Sequence, residues 1–260
     1  MMFAILPALI FTLLGFVVGS AIVHVAEAAL AKRALTTPRC PYCTQAYAPI
    51  QWSAALALVT GHWRCAACGK PIRLPRLLGE VFLAVSWGLL AGRYGLSARS
   101  LLAMAALIPQ AMVLVTDVEA KLIPNRIMLP ALAAMLVVGT LVGPALPFMQ
   151  TARWWSTLAG AGVGFIAFRL LVSLGVAIFG EGALGEGDIT LATYVGAVVG
   201  FPLVFESLLL AFVLGGLGAF AILLVRRDGL RTTMPYGPFI ILGCAATLIW
   251  GFEIMAWFLS

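Results

Sequence analysis

Long apolar runs separated by short polar punctuation repeat along nearly the whole chain. Runs of 18 or more such residues suffice to cross a hydrocarbon core, which takes about 20 residues of helix. Lipid offers no hydrogen-bond partners, so each run must satisfy its own backbone, and the helix is the default way to do that. The pattern predicts eight spans, at roughly 3–30, 78–93, 99–116, 127–147, 156–179, 188–202, 204–225 and 236–259. The division at Phe201-Pro202 is the least marked, and a single bent helix is the alternative there. The fold class expected is all-α, a polytopic membrane helix bundle of about eight spans interrupted by one small polar loop. Three units follow: residues 1–30 as the first span, 31–77 as the loop, and 78–260 as the rest of the bundle. The first run, Phe3 to Leu30, is too long for a signal h-region and has no basic n-region, so it reads as a retained span.

Composition agrees with the pattern. Of 260 residues, 63% are hydrophobic and 10% charged, with a mean hydropathy of +1.08, whereas about a quarter of the residues of a soluble domain are charged. Disorder, a coiled coil and a secreted disulfide scaffold are excluded on the same grounds.

Basic residues collect in cytoplasmic loops and set orientation. With the N-terminus outside, eight spans put Lys32, Arg33, Arg39, Arg64, Lys70, Arg73, Arg76, Lys121, Arg126, Arg226, Arg227 and Arg231 in the cytoplasm, and only Arg93, Arg99 and Arg153 outside. Trp154 and Trp155 then fall where an outer aromatic belt would lie. The net charge of +6 is thus a topology signal. Nucleic-acid binding would need a basic surface on a folded domain, and no such role is expected.

The polar loop carries Cys40-Pro41-Tyr42-Cys43 and Cys65-Ala66-Ala67-Cys68. Two Cys-x-x-Cys knuckles offer four thiolates in the pattern of a tetrahedral structural zinc site, and Gly69 suits the tight turn after the second. A redox pair or reduced free thiols would also account for the cysteines. A metal would fold a loop too small to have a core of its own. Cys244, inside the last run, reads as a packing residue.

Two acids stand at predicted span ends. Asp117 closes the third span and Asp188 opens the sixth, within Gly185-Glu186-Gly187-Asp188. The Lys/Arg topology places both at the cytoplasmic edge, although neither aspartate enters the charge count. Two carboxylates that meet there share a proton, so one can activate a water while the other donates to a carbonyl or leaving amine. This is aspartic-protease chemistry. The helix dipoles assign the base to Asp188 and the proton to Asp117. Gly185 and Gly187 allow an unwound, closely approached backbone.

With these residues in place, the chain resembles the prepilin peptidase (type IV leader peptidase) family, membrane aspartyl proteases of the GxGD class. The resemblance covers nearly the full length. It rests on Gly19-Ser20, the tetracysteine loop, Arg73 to Glu80, Asp117 with Ile123-Pro124-Asn125, the Gly-Glu-Gly-Asp motif, and Pro235-Tyr236-Gly237-Pro238. The resemblance implies cleavage of the basic leader of type IV prepilins or pseudopilins at the cytoplasmic face of the bacterial inner membrane. Asp117 and Asp188 carry over as the catalytic pair. Members with the cysteine loop commonly also methylate the new N-terminus with S-adenosylmethionine. The chain departs from the family at Val23, within Ala21-Ile22-Val23-His24 where an Asn is usual, and at Thr190 where a Lys is usual. The implied partners are a prepilin or pseudopilin and the lipid bilayer; the oligomeric state is not given by the sequence.

The remaining ionisable residues have plainer readings. Glu181 and Glu186 are expected to face water, with binding of the leader's basic residues as the alternative for Glu186 and the same two readings open for Glu119 and Lys121; Glu27 and Glu206 are expected to snorkel to an interface, and His24 and His62 are as well explained by structure as by ligation. Glu80 and Arg169, within spans, are expected to face the bundle interior and pair there. Clustered glycines at 160, 162 and 164 and at 215, 216 and 218 suggest close helix packing. A proton-coupled transporter would place its acids near the midplane and often show repeats, and the sequence has neither feature. The same residues are compatible with a peptidase that lacks methyltransferase activity, and more remotely with a non-catalytic zinc-containing assembly protein.

Overall fold

The computed structural model describes residues 2–31, 34–148, 154–179, 185–225 and 235–259. Lys32, Arg33, Arg153, Glu181, Arg226, Arg227 and Arg231 of the charge and loop readings lie outside the described residues.

Among the described residues the chain folds into α1 (Met2–Leu30), α2 (Ala54–Val59), α3 (Leu74–Tyr94), α4 (Ala98–Ala120), α5 (Asn125–Val142), α6 (Trp154–Phe179), α7 (Glu186–Val199), α8 (Leu203–Val225) and α9 (Gly237–Leu259). Extended pairing there is confined to isolated bridges. Seven of the helices, all but α2 and α7, are long and apolar enough to span a bilayer. The protein is a multi-pass membrane helix bundle.

Local chemistry sets several boundaries. Pro75 starts α3 in its first turn, where a missing N–H costs nothing, so α3 begins four residues before the expected 78. Ser97 caps α4 by accepting the Ser100 N–H at 3.0 Å. The helix does not stop at Asp117: it continues through Ala120 and ends on a left-handed Lys121, whose N–H reaches the Asp117 carbonyl at 2.8 Å. Gly143-Pro144 ends α5 earlier than the expected 147.

The sixth predicted span is α7, and its 14 residues rise only about 21 Å, short of a hydrocarbon core of about 30 Å. It is nonetheless the axis of the bundle. From Asp188 onward it is buried apart from Thr190 and Thr193, and α5, α6, α8 and α9 pack around it. Neighbouring protein, not lipid, surrounds the body of the helix, so it need not be long enough to span on its own. Gly200 (φ 69°) and a cis Phe201-Pro202 peptide separate it from α8, which settles the bent-helix question in favour of two helices. The turn's polar groups are met: Phe201 N–H donates to the Ser156 carbonyl, and Ser156 Oγ to the Phe201 carbonyl at 2.7 Å.

Small residues permit the closest helix approaches. Gly160 and Gly164 of α6 lie directly on the backbone of α7 at Gly196 and Ala192. Gly162 faces open space and takes no part. On the other side of the bundle α1 lies along α3. A Cβ on Gly19 would come within 2.9 Å of the Glu80 Cα, and one on Gly15 within 2.6 Å of the Leu83 carbonyl oxygen. The Gly19 of the Gly-Ser pair is therefore a packing requirement. Val23, the departure from the usual Asn, packs in an apolar cluster with Ala26, Met112 and Val115.

Rows of exposed apolar side chains on α1, α5, α6 and α8, such as Leu13, Leu141, Ile166 and Leu217, provide the lipid-facing surface a bundle needs. Arg169 is exposed on α6 rather than turned inward, which corrects the interior pairing expected for it. Glu80 is fully buried as expected, but its partners are hydrogen-bond donors of the polar loop, not a cation.

Candidate active site and metal centre

Asp117 occupies the last turn of α4 and Asp188 the first turn of α7. Both are buried, 5% and 7% exposed, and they are close enough to feel each other's charge. Residues 71 positions apart in sequence are thus brought to one place by α7 running beside α4, where the Tyr194 hydroxyl also donates to the Ala106 carbonyl at 2.8 Å.

Each carboxylate is aimed by a backbone donor. The Gly185 N–H, at the N-cap of α7, donates to Asp188 Oδ2 at 3.1 Å. The Gly237 N–H, at the start of α9, donates to Asp117 Oδ2 at 3.0 Å. A Cβ on Gly237 would sit 2.6 Å from that same oxygen and force the carboxylate to shift. The Pro-Tyr-Gly-Pro motif, to which sequence reasoning gave no role, is what orients Asp117. Tyr236 beside it is set among the rings of Phe168, Phe212 and Phe239, at centroid distances of 6.0 to 6.3 Å. Its hydroxyl is buried near Asp188 and makes no hydrogen bond among the described residues.

The unwound backbone expected at Gly185 and Gly187 is confined to Gly185. Gly187 is helical, and its lack of a Cβ serves a close approach by Ile123, whose own Cβ would lie 2.7 Å from one added there. The Ile123-Pro124-Asn125 segment therefore packs onto the Gly-Glu-Gly-Asp turn and joins the two halves of the site. Thr190 lies further into α7, partly buried.

The four loop cysteines converge as well. Their sulfurs all lie within 4.8 Å of one another, with Cys40–Cys68 at 3.7 Å and Cys43–Cys65 at 3.6 Å. Ligands about 2.3 Å from a tetrahedral zinc stand about 3.8 Å apart, close to the two shorter separations here, so the set is suited to such an ion. The knuckles are built alike. Cys40 N–H bonds the Gln45 carbonyl and Cys65 N–H the Lys70 carbonyl, while Thr44 (φ 60°) and Gly69 (φ 69°) take the same left-handed position in each. Backbone N–H groups of Cys68 and Ala67 hold the Cys65 thiol below its ordinary value. Burial raises the Cys40 thiol, but the N–H groups of Tyr42 and Cys43 outweigh it and bring the group down to about 6. The Gln45 N–H lowers Cys43, yet burial and the other three sulfurs carry it up to about 12. Such N–H groups aimed at sulfur favour thiolates, the form a metal binds. Cys244 is separate, fully buried in α9 and in contact with Gln110.

Sequence reasoning missed how the loop is fastened to the bundle. The Glu80 carboxylate accepts hydrogen bonds from Ser53 Oγ and from the Ala54 and Ala55 N–H groups at 2.8, 2.8 and 3.0 Å. Arg76, 1% exposed, meets Glu27 at 3.2 Å, donates to the Trp52 carbonyl and to His24 Nδ1, and lies over the Tyr47 ring. Glu27 does not snorkel but pairs, and His24 is structural. A second ion pair, Arg73–Glu119, ties the loop's end to α4 two residues past Asp117. The hint in the sequence was slight: Arg76 and Glu80 stand four residues apart, on either side of the expected start of the second span.

Residues 101–220, which contain both aspartates, match the type IV leader peptidase family. The chain is related to the type IV leader peptidases. Its relatives among named proteins include the prepilin leader peptidase/N-methyltransferases of Bacillus subtilis, Pseudomonas putida and Stutzerimonas stutzeri. The first is 26% identical over 85% of this chain and 84% of its own. The second is 31% identical over 74% and 65%, and the third 28% identical over 85% and 74%. Among solved structures none matches. As a leader-peptidase relative, the chain carries its tetracysteine loop ahead of the matched segment, with Glu80, Arg76 and Arg73 linking the two.

Proposed function

We propose that the chain is a membrane aspartic endopeptidase that removes the leader of type IV prepilins or pseudopilins, with Asp117 and Asp188 as its catalytic pair, and that it also N-methylates the new N-terminus. One observation carries the peptidase reading: two buried carboxylates, from the last turn of α4 and the first turn of α7, meet inside the segment that matches the leader peptidases.

Asp188, at the positive end of the α7 dipole, acts as base and Asp117, at the negative end of α4, holds the proton. Asp188 takes a proton from a water whose oxygen attacks the scissile carbonyl carbon. Asp117 gives its proton to the carbonyl oxygen, forming a tetrahedral diol. Collapse breaks the C–N bond: a diol hydroxyl returns its proton to Asp117 as the new carbonyl forms, and the proton on Asp188 passes to the departing amine. The Gly185 and Gly237 N–H groups keep the carboxylates in position through both steps. No metal is needed at the scissile bond.

Cys40, Cys43, Cys65 and Cys68 would hold a structural zinc ion that fixes the loop. S-adenosylmethionine, when bound, supplies the methyl group for the second reaction. The Lys/Arg asymmetry supports an N-terminus outside and a site facing the cytoplasm, in a bacterial inner membrane. The chain divides into a first span (1–30), a zinc loop (31–77) and the peptidase bundle (78–260).

The test is cleavage of a type IV prepilin in liposomes by the wild type, Asp117→Asn and Asp188→Asn, with the folding of each verified. Both folded variants should lose at least about a thousandfold in rate, because neither half of the proton exchange survives alone. Substantial cleavage by either variant refutes the paired mechanism. Incorporation of labelled methyl groups into the cleaved pilin tests the second activity separately.

A further inference from the structure

The α-helix of the tetracysteine loop has no polar side chain. α2 reads Ala54-Ala55-Leu56-Ala57-Leu58-Val59. Ala54 and Ala57 are buried, whereas Leu56 is 45%, Leu58 49% and Val59 84% exposed, and Trp52 just before them 42%. A helix on a water-facing surface presents polar residues on its open side; the open side of α2 is apolar throughout.

Glu80 fixes the depth of this helix. α3, at 21 residues, rises about 31 Å, which matches a hydrocarbon core of about 30 Å. Glu80 stands six positions past the start at Leu74, about 9 Å along the axis. Side chains lean toward a helix's N-terminus, so its carboxylate lies about 4–9 Å inside the loop-side end of α3. The Ala54 and Ala55 N–H groups are bonded to that carboxylate, which brings the first turn of α2 to the same level. The outward stripe of α3 passes this level too, since Leu74, Leu78, Val81 and Val85 are all exposed. Helices that lie in a membrane interface sit about 5–10 Å into the headgroup and acyl boundary with the apolar face down, and Trp is favoured beside them.

The charge of the loop points the same way. Residues 31–77 include seven Lys and Arg and no Asp or Glu. Arg73 and Arg76 are paired with Glu119 and Glu27 of the bundle, while Arg39, Arg64 and Lys70 are exposed. The Gln51 amide, at the foot of α2, donates to the His62 and Arg64 carbonyls at 2.9 and 2.8 Å, which holds the Arg64 backbone beside the start of the helix.

We propose that the tetracysteine loop is a lipid-binding element: α2 lies in the leaflet on the loop's side, with Leu56, Leu58 and Val59 against acyl chains and Arg39, Arg64 and Lys70 among anionic headgroups. The basic leader of a prepilin is the poorer occupant, because a loop without acids repels it. Seated in this way, the loop joins the bilayer to the edge of the aspartate site through the Arg73–Glu119 pair, two residues past Asp117.

Two measurements on the full-length, metal-loaded protein in vesicles of equimolar phosphatidylcholine and phosphatidylglycerol test the assignment. In the first, Val59 is replaced by the photoreactive residue p-benzoylphenylalanine, and Val85 likewise as the reference for lipid contact. Illumination should attach lipid at position 59 with a yield within about fivefold of that at position 85. A lower yield overturns the assignment, and adducts formed instead with added prepilin or with a second copy of the chain give the face to that partner and overturn it as well. In the second, hydrogen exchange of wild type at residues 54–59 is compared with that in pure phosphatidylcholine vesicles. Protection should be about tenfold or more greater with phosphatidylglycerol, and the gain should shrink at high salt, because each cation near an anionic surface adds to its hold. Equal protection in both lipids overturns the headgroup contacts and the proposal with them. Should the photoreactive variant misfold, the exchange comparison on wild type decides alone.

Discussion

Replacing Glu80 with Gln should release the tetracysteine loop from the bundle while leaving the bundle folded. The fully buried carboxylate accepts three hydrogen bonds, from the Ser53 hydroxyl and from the first two N–H groups of α2. A hydrogen bond to a charged acceptor contributes about 1.5–3 kcal/mol, and a buried donor left without one costs about 1–3 kcal/mol. Gln retains one acceptor oxygen but turns an NH2 group toward donors. At least one of the Ala54 and Ala55 N–H groups then loses its partner, and the Ser53 hydroxyl must turn away. A loss of about 3 kcal/mol in loop docking follows, which raises the open population about 100-fold. Hydrogen exchange at residues 54–59, followed by mass spectrometry in detergent, measures that population directly. Protection within threefold of wild type would refute the reasoning, and so would equal loss of protection in α7, since the defect should be local.

Other outcomes follow from the same geometry. Gly237→Ala should push the Asp117 carboxylate aside and slow prepilin cleavage about 100-fold, the cost of a displacement near 1 Å at a catalytic group, at nearly unchanged S-adenosylmethionine binding; unaltered cleavage would separate the Pro-Tyr-Gly-Pro motif from the site. Chelation should strip the four cysteines and expose residues 40–72 to protease while cleavage persists at first, because the loop's own core is little more than Tyr47, Ala54, Ala57 and Ile72. Immediate loss of cleavage with an intact bundle would contradict that division. Metal uptake at pH 7 should release at least one proton, because Cys43, raised to about 12, is still protonated in the metal-free loop. Affinity therefore rises with pH and acid drives the metal off, and a calorimetric enthalpy independent of the buffer's ionisation heat would contradict it.

The sequence by itself determined the helical membrane class, the two cysteine knuckles and the two acids at helix ends, because each is written in local spacing. Apolar run length sets a span, Cys-x-x-Cys sets a knuckle, and the acid where an apolar run stops or starts lies near a helix end. Tertiary structure decided what depends on neighbours. The sixth predicted span is a 14-residue helix, and it can be that short only because four other helices shield it from lipid. Run length cannot carry that information. The value of Gly237 lies in the Asp117 oxygen pressed against it, 120 residues away in sequence. Glu80 read as an interior ion-pair partner and proved to be the acceptor for a loop helix, while Arg169 read the same way and faces outward. A charge within an apolar run says only that its burial must be compensated or avoided, and the packing decides which.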